Sequence, residues 1–331
     1  MNFARALFLR VHGSWFHLMN QQPESIGGQA IVEGVLMRSP GRLAMAARSP
    51  DGNIAVQSRP FVAFSKRYKI LGWPILRGGA SLIESLYLGM QALNWSVKVQ
   101  EIVKAEEKED AKEDVKSATM MQKAVTVLPL LFSFGLALLF FQLLPYGIAS
   151  FVSGGRHHAQ NPLVFNGVAG AVRITLLLVY MWGLSFLPDL ARVFQYHGAE
   201  HKSIFAYENK AALEVSEVSR QSRFHPRCGT SFILIVALTC MFFFSLFDAF
   251  MMHVVGYSYP SFLHRFLIHL PFIPLVAGLA FELLRLSGKH QNAKWIRPFI
   301  VPGLWLQKIT TREPDNAQIE VALVSVKAAL A

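Results

Sequence analysis

Charged residues are scarce in this chain: they make up 16% of its 331 residues, where a soluble domain carries about a quarter. The shortage excludes an ordinary soluble domain, and long apolar runs point to a bilayer instead. Cysteine is nearly absent as well. Cys228 and Cys240 are too few for a disulfide framework, and Cys240 sits in an apolar run as a small packing residue. No strand, G-x-G-x-x-G and helix occur in that order, so the dinucleotide-binding fingerprint is missing. The opening MNFARALFLRVHGSWFHLMNQQ is interrupted by Arg5, Arg10 and His12 and lacks a small-residue cleavage site, so the N-terminus is expected to stay in the cytoplasm. The net charge of +11 is spread along the chain, which gives no strong nucleic-acid signal. It suits basic side chains lying against membrane lipid headgroups.

The organisation follows from pattern. Residues 26–62 read as short strands punctuated by SPGR and SPDGN, the second a hairpin signal with Asp51 and Gly52 at its tip. A small cytoplasmic β-element is expected there. The moderately apolar LGWPILRGGASLIESLYLGMQALNWS contains Arg77 and Glu84 and suits an interfacial or bundle-packed helix better than a span. Alternating charges over 101–124 then read as a solvated helix or linker that closes the 1–100 region. Four spans are expected within 125–290, near 125–151, 168–187, 232–255 and 266–286, with 291–331 as a cytoplasmic tail. The fold class is thus an α-helical polytopic membrane protein with about four transmembrane helices.

Charge orients these spans. Arg192, Lys202, Lys210, Arg220, Arg223 and Arg227 lie between spans two and three, and Arg285 to Arg312 bring six more cations after span four. The two opposite loops carry Arg156 alone. The positive-inside rule therefore puts both termini and the 188–231 segment in the cytoplasm, at the inner membrane of a bacterium.

That segment contains QYHGAEHKSIFAYE. On a helix His197 and His201 are i and i+4 and share a face, with Glu200 beside them. Two imidazoles at that spacing suit zinc, and H-x-x-E-H inverts the H-E-x-x-H order in which the glutamate is general base. Further ligands must come from elsewhere: Glu208, His225, Cys228 and Glu282 are the available donors. HPRCG supplies His225 and Cys228 on the same membrane side. His197, His201, His225 and Cys228 together would close a structural zinc site, whereas three of them with water and Glu200 would make a catalytic one. The plainer reading is of interfacial histidines satisfied by Glu200, Tyr196 or lipid phosphate. Among the remaining ionisable residues, Glu282 with Arg285 and Asp189 with Arg192 read as i, i+3 ion pairs. His157 and His158 read as a headgroup contact, and Asp248 needs an outer interface or a partner. Glu33, among small residues, reads as part of a turn.

GGQAIVEGVLMR, GWPILRG, YHGAEHK, HPRCGTSF, FELLR and PGLWLQKITTREP, in this order, resemble the YqhQ-like family of bacterial multi-pass membrane proteins. The resemblance implies a metal-dependent enzyme of unknown substrate, with His197, Glu200, His201, His225 and Cys228 as motif positions. Three functional readings follow. The first is a hydrolase at the cytoplasmic face, acting on a lipid-linked or peptide substrate through a divalent metal ion, zinc by its donors, with Glu200 as base. A non-catalytic assembly protein with a structural metal or histidine cluster is the second. The third is a transporter or channel using Asp248 and Glu282, which four spans without internal repeats disfavour unless the chain forms a homo-oligomer.

Overall fold

The computed structural model describes residues 26–106, 132–133, 135–153, 161–289 and 293–331. Four antiparallel strands come first: β1 (Gly27–Ile31), β2 (Gly34–Arg38), β3 (Arg42–Arg48) and β4 (Ile54–Pro60), paired in sequence order. The expected β-element is therefore present, and its SPDGN turn closes as the composition implies. Gly52 takes φ 89°, where only glycine is unstrained, and the Asn53 amide donates to Asp51 Oδ1 at 3.0 Å.

A short α1 (Phe64–Arg67) and a 3₁₀ turn (Lys69–Gly72) lead into the long α2 (Leu76–Glu106). Next come α3 (Leu144–Val152), α4 (Pro162–Leu184), α5 (Pro188–Glu208) and the short α6 (Val215–Ser219). The chain ends with α7 (Gly229–His253), α8 (Phe262–His269), α9 (Ile273–Lys289), α10 (Arg297–Thr310) and α11 (Asn316–Leu330). Among the described residues, four helical stretches are long and apolar enough to cross a membrane: Gly135–Val152, Pro162–Leu184, Gly229–His253 and Phe262–Ser287. The second begins six residues before its expected start at 168, because Pro162 at the first helical position and Asn161 as N-cap begin the helix there. Arg156, His157, His158 and most of the 101–124 segment lie outside the described residues.

The sheet uses both faces, as its period of two requires. Val35, Met37, Ala44 and Ala46 face α5 and α11, packing on Tyr196, Ala199, Ile319, Ala322 and Val326. Leu36, Leu43 and Met45 face the other way, onto Leu88 and Ala92 of α2. Each large side chain buried there contributes about 1.5–3 kcal/mol. Residues 297–330 are thus built into the molecule: α10 lies along α7, and α11 covers the sheet. Ser325 of α11 fixes that cover by placing its hydroxyl between the carbonyls of Val35 and Ala44.

Candidate metal centre

The motif forms the middle of α5. Pro188 starts this helix and Asp189 occupies its first turn, and a separation of four residues, just over one turn, brings His197 and His201 onto one face with ring centroids 4.4 Å apart. Cys228 is the N-cap of α7, its Sγ accepting the Thr230 amide at 3.4 Å. His197 Nε2, His201 and Cys228 thereby meet: their ligating atoms lie within 4.8 Å of one another, and His197 Nε2 is 3.1 Å from Cys228 Sγ.

Main-chain carbonyls set the histidine tautomers. His197 Nδ1 lies 2.8 Å from the Thr310 carbonyl and His201 Nδ1 lies 2.5 Å from that of Arg223. A carbonyl only accepts, so each Nδ1 carries the proton and each Nε2 keeps its lone pair for a cation. In a tetrahedral zinc site, ligand atoms stand about 3.3–3.8 Å apart, given bonds of about 2.0–2.3 Å. Small side-chain rotations reach that spacing, so these donors fit a divalent cation.

Glu200 completes the cluster. It is 5% exposed, its Oε2 lies 3.9 Å from His197 Nε2, and the Gly28 amide of β1 acts on its carboxyl. Burial raises its carboxyl above the usual range, against the pull of His197, His225 and that amide. Burial also lowers His201, with its contact to Cys228 acting in the opposite sense. Gly28 makes room for the carboxylate: a Cβ there would come within 2.7 Å of Glu200 Cγ and 2.8 Å of Oε1. Gly198 does the same for the backbone, since a Cβ would collide with the Arg312 carbonyl.

A family model described as a protein of unknown function, DUF1385, matches residues 73–331, more than three quarters of the chain and all of this cluster. The chain belongs to that family. A relative from Bacillus subtilis (strain 168), the uncharacterised protein YqhQ, is 34% identical over 304 residues, covering 92% of this chain and 91% of its own. No solved structure matches.

In this DUF1385 member the other expected donors are engaged elsewhere. His225 lies against the cluster, 5.7 Å from His201 between ring centroids, but both its nitrogens are taken. Its Nδ1 accepts the Arg227 amide at 3.2 Å and its Nε2 faces Glu208 at 3.3 Å. Glu208 also pairs with Arg227. Glu282 is bound by Arg77, whose Nε donates to Oε1 at 2.6 Å, so the expected pairing with Arg285 is replaced by a contact between α2 and α9. Arg192 likewise reaches Glu33 rather than Asp189, with Nη2 to Oε2 at 2.7 Å. Glu33 sits at φ 51° in the β1–β2 turn and also accepts the Tyr196 hydroxyl, so this turn is tied to α5.

Three supporting residues escape a residue-by-residue reading of the sequence. Gln307 is fully buried and clamps the HPRCG loop: its Nε2 donates to the His225 carbonyl at 2.7 Å, and its Oε1 accepts the His225 amide at 2.8 Å. Thr310 orients His197 through its carbonyl, and Arg223 holds the Thr311 carbonyl from the opposite side. Gln307 and Thr310 fall within the string PGLWLQKITTREP, which offered the one available signal.

Proposed function

We propose that this DUF1385 protein is a membrane-anchored metalloprotein whose centre, at the cytoplasmic end of its apolar helices, is of the hydrolytic type. His197 Nε2, His201 Nε2 and Cys228 Sγ hold the cation, and Glu200 is the base beside the fourth position. The observation that carries the reading is the convergence of three donors within 4.8 Å with both Nδ1 protons committed to main-chain carbonyls. Three protein ligands leave zinc one position free. A bound divalent cation lowers the pKa of its water to about 7 and so supplies hydroxide at neutral pH. Glu200 stands where it can take that proton, and its burial raises its affinity for it.

Membrane insertion of the four apolar helices belongs to this proposal. Their lengths suit a hydrocarbon core of about 30 Å, and the cations of the 188–231 segment and of 285–312 support a position of the cluster on the inner side. A lipid-linked or peptide substrate fits that location.

One observation favours a second reading, in which the metal is structural. His201 is 1% exposed and Glu200 5%, so Glu200 could serve as a fourth ligand in a closed site tying the sheet to α5 and α7. Metal analysis of detergent-purified protein separates these outcomes. Wild type is expected to carry about one zinc per chain, and His201→Ala and Cys228→Ala to lose it. Retention of metal and of chelator-sensitive thermal stability by Glu200→Gln supports the hydrolytic centre, and loss of both supports the closed one. Equal, substoichiometric metal in wild type and His201→Ala rejects the metal reading altogether.

A further inference from the structure

The start of α2 does not lie flat beneath the bundle. Gly78 meets α9 so closely that a Cβ would come within 2.9 Å of Gly278 Cα and 2.8 Å of Phe281 Cβ. Ile75 lies against Gly278, Arg77 binds Glu282, and Ser81 shares a small concavity with Arg285. Contacts therefore advance together along both helices, so α2 and α9 run parallel, and the preceding turn sits beside the interior of the fourth apolar stretch. Gly278 is nine residues before Ser287, where that stretch ends, which is about 14 Å of helix. The chain reaches this point from α1, whose Phe64 amide donates to Glu84 Oε1 at 2.7 Å, two turns further along α2. Residues 64–84 thus form a hairpin that goes in beside α9, turns at Ile75 (φ 71°), and comes back out.

We infer that this hairpin is a re-entrant element inserted into the cytoplasmic leaflet, a fifth membrane-embedded piece that does not span. Four observations converge on lipid as what covers it. Its outward side chains are large and apolar: Ile70, Trp73, Leu76 and Ile83 are all exposed, Trp73 by 63%. Leu283 and Leu286 of the neighbouring α9 are exposed and apolar as well. Arg77 and Glu282 neutralise each other, as hydrocarbon requires, and the exposed Lys69 on the inward limb would extend its ammonium back to the headgroups. Lys66 and Arg67 are exposed at the shallow end, beside Glu84, where anionic headgroups would meet them. Close glycine contacts are also the usual means of packing helices in lipid.

The inference rests on the membrane reading of the four apolar helices, so its test carries an internal reference. Spin labels attached through a ketone-bearing amino acid leave Cys228 and Cys240 untouched. They are placed singly at Ile70 and Trp73, at Phe242 in α7, and at Val56 on the exposed edge strand, in nanodiscs of phosphatidylethanolamine and phosphatidylglycerol. The ratio of oxygen to nickel-complex accessibility is expected to be several-fold higher at 70, 73 and 242 than at 56. Labels at 70 and 73 as open to nickel as the one at 56, with 242 in lipid, overturn the hairpin alone. Labels at 70 and 73 closed to both reagents point to a second protein copy and also overturn it. A water-exposed label at 242 removes the spans and the hairpin together.

Discussion

At the scale of single residues, the chemistry depends on which nitrogen carries a proton. His225 offers the clearest pH signature. Burial pushes it down to about 4, while Glu200 pulls weakly upward and Glu208 is already paired with Arg227. Between about pH 4 and 6.5 the unfolded chain therefore binds a proton that the folded chain does not, so stability rises with pH through that window. The depression corresponds to about 3 kcal/mol, lost progressively as pH falls from 6.5 to 4. Thermal melts of the detergent-solubilised protein from pH 7.5 down to 4.5 should show this slope, and His225→Gln should flatten it. An unchanged slope in the variant would assign the acid sensitivity to other groups. The spacing of His197, Glu200 and His201 was legible because a helix turns with a fixed period. The identity of the third donor was not, because Cys228 and His225 are three residues apart and only the clamp by Gln307 decides which one faces the histidines.

At the scale of elements, glycines set the distances. Gly198→Ala forces a Cβ against the Arg312 carbonyl, and backbone cannot swing aside as a side chain can. Overpacking of this kind costs about 1–3 kcal/mol, so the apparent Tm should fall. Gly28→Ala meets only the side chains of Glu200 and Met37. It should therefore leave the melt and the zinc content nearly unchanged while displacing the carboxylate, and Tm read for the two variants side by side measures the difference. If both variants melt alike, the close approaches described are not what holds α5 in place. The strands and apolar helices were legible from alternation and run length. The role of α10 and α11 was not, since a short amphipathic tail and a sheet-covering helix share one sequence pattern and differ only in what they touch.

At the scale of the whole molecule, two polar assemblies occupy opposite ends of the apolar helices. Away from the His197, His201 and Cys228 cluster, Asp248 is 1% exposed and fully engaged. It accepts from Arg265 Nη2 at 2.6 Å, Asn166 Nδ2 at 2.8 Å and the Tyr259 hydroxyl at 2.8 Å, and it lies 2.7 Å from His269 Nε2. Arg265 also covers the Phe165 ring at 4.6 Å. The sequence showed Asp248 in need of a partner, and the fold provides four from α4, α8 and the loop between α7 and α8. A network so fully satisfied reads as a tie among helices and not as an ion path. Breaking one partner of a buried pair costs about 3–5 kcal/mol, so Arg265→Ala should lower the apparent Tm sharply while zinc per folded chain stays at the wild-type level. Loss of zinc in that variant would mean that the two ends are coupled.

In the proposed centre, two imidazoles and one thiolate share a cation. X-ray absorption at the zinc edge of the purified full chain reads that donor set directly. Two nitrogen ligands are expected at about 2.0–2.1 Å and one sulfur at about 2.3 Å, with the sulfur shell gone in Cys228→Ala. A spectrum without sulfur in the wild type, or a chain that retains no zinc, would contradict this donor set.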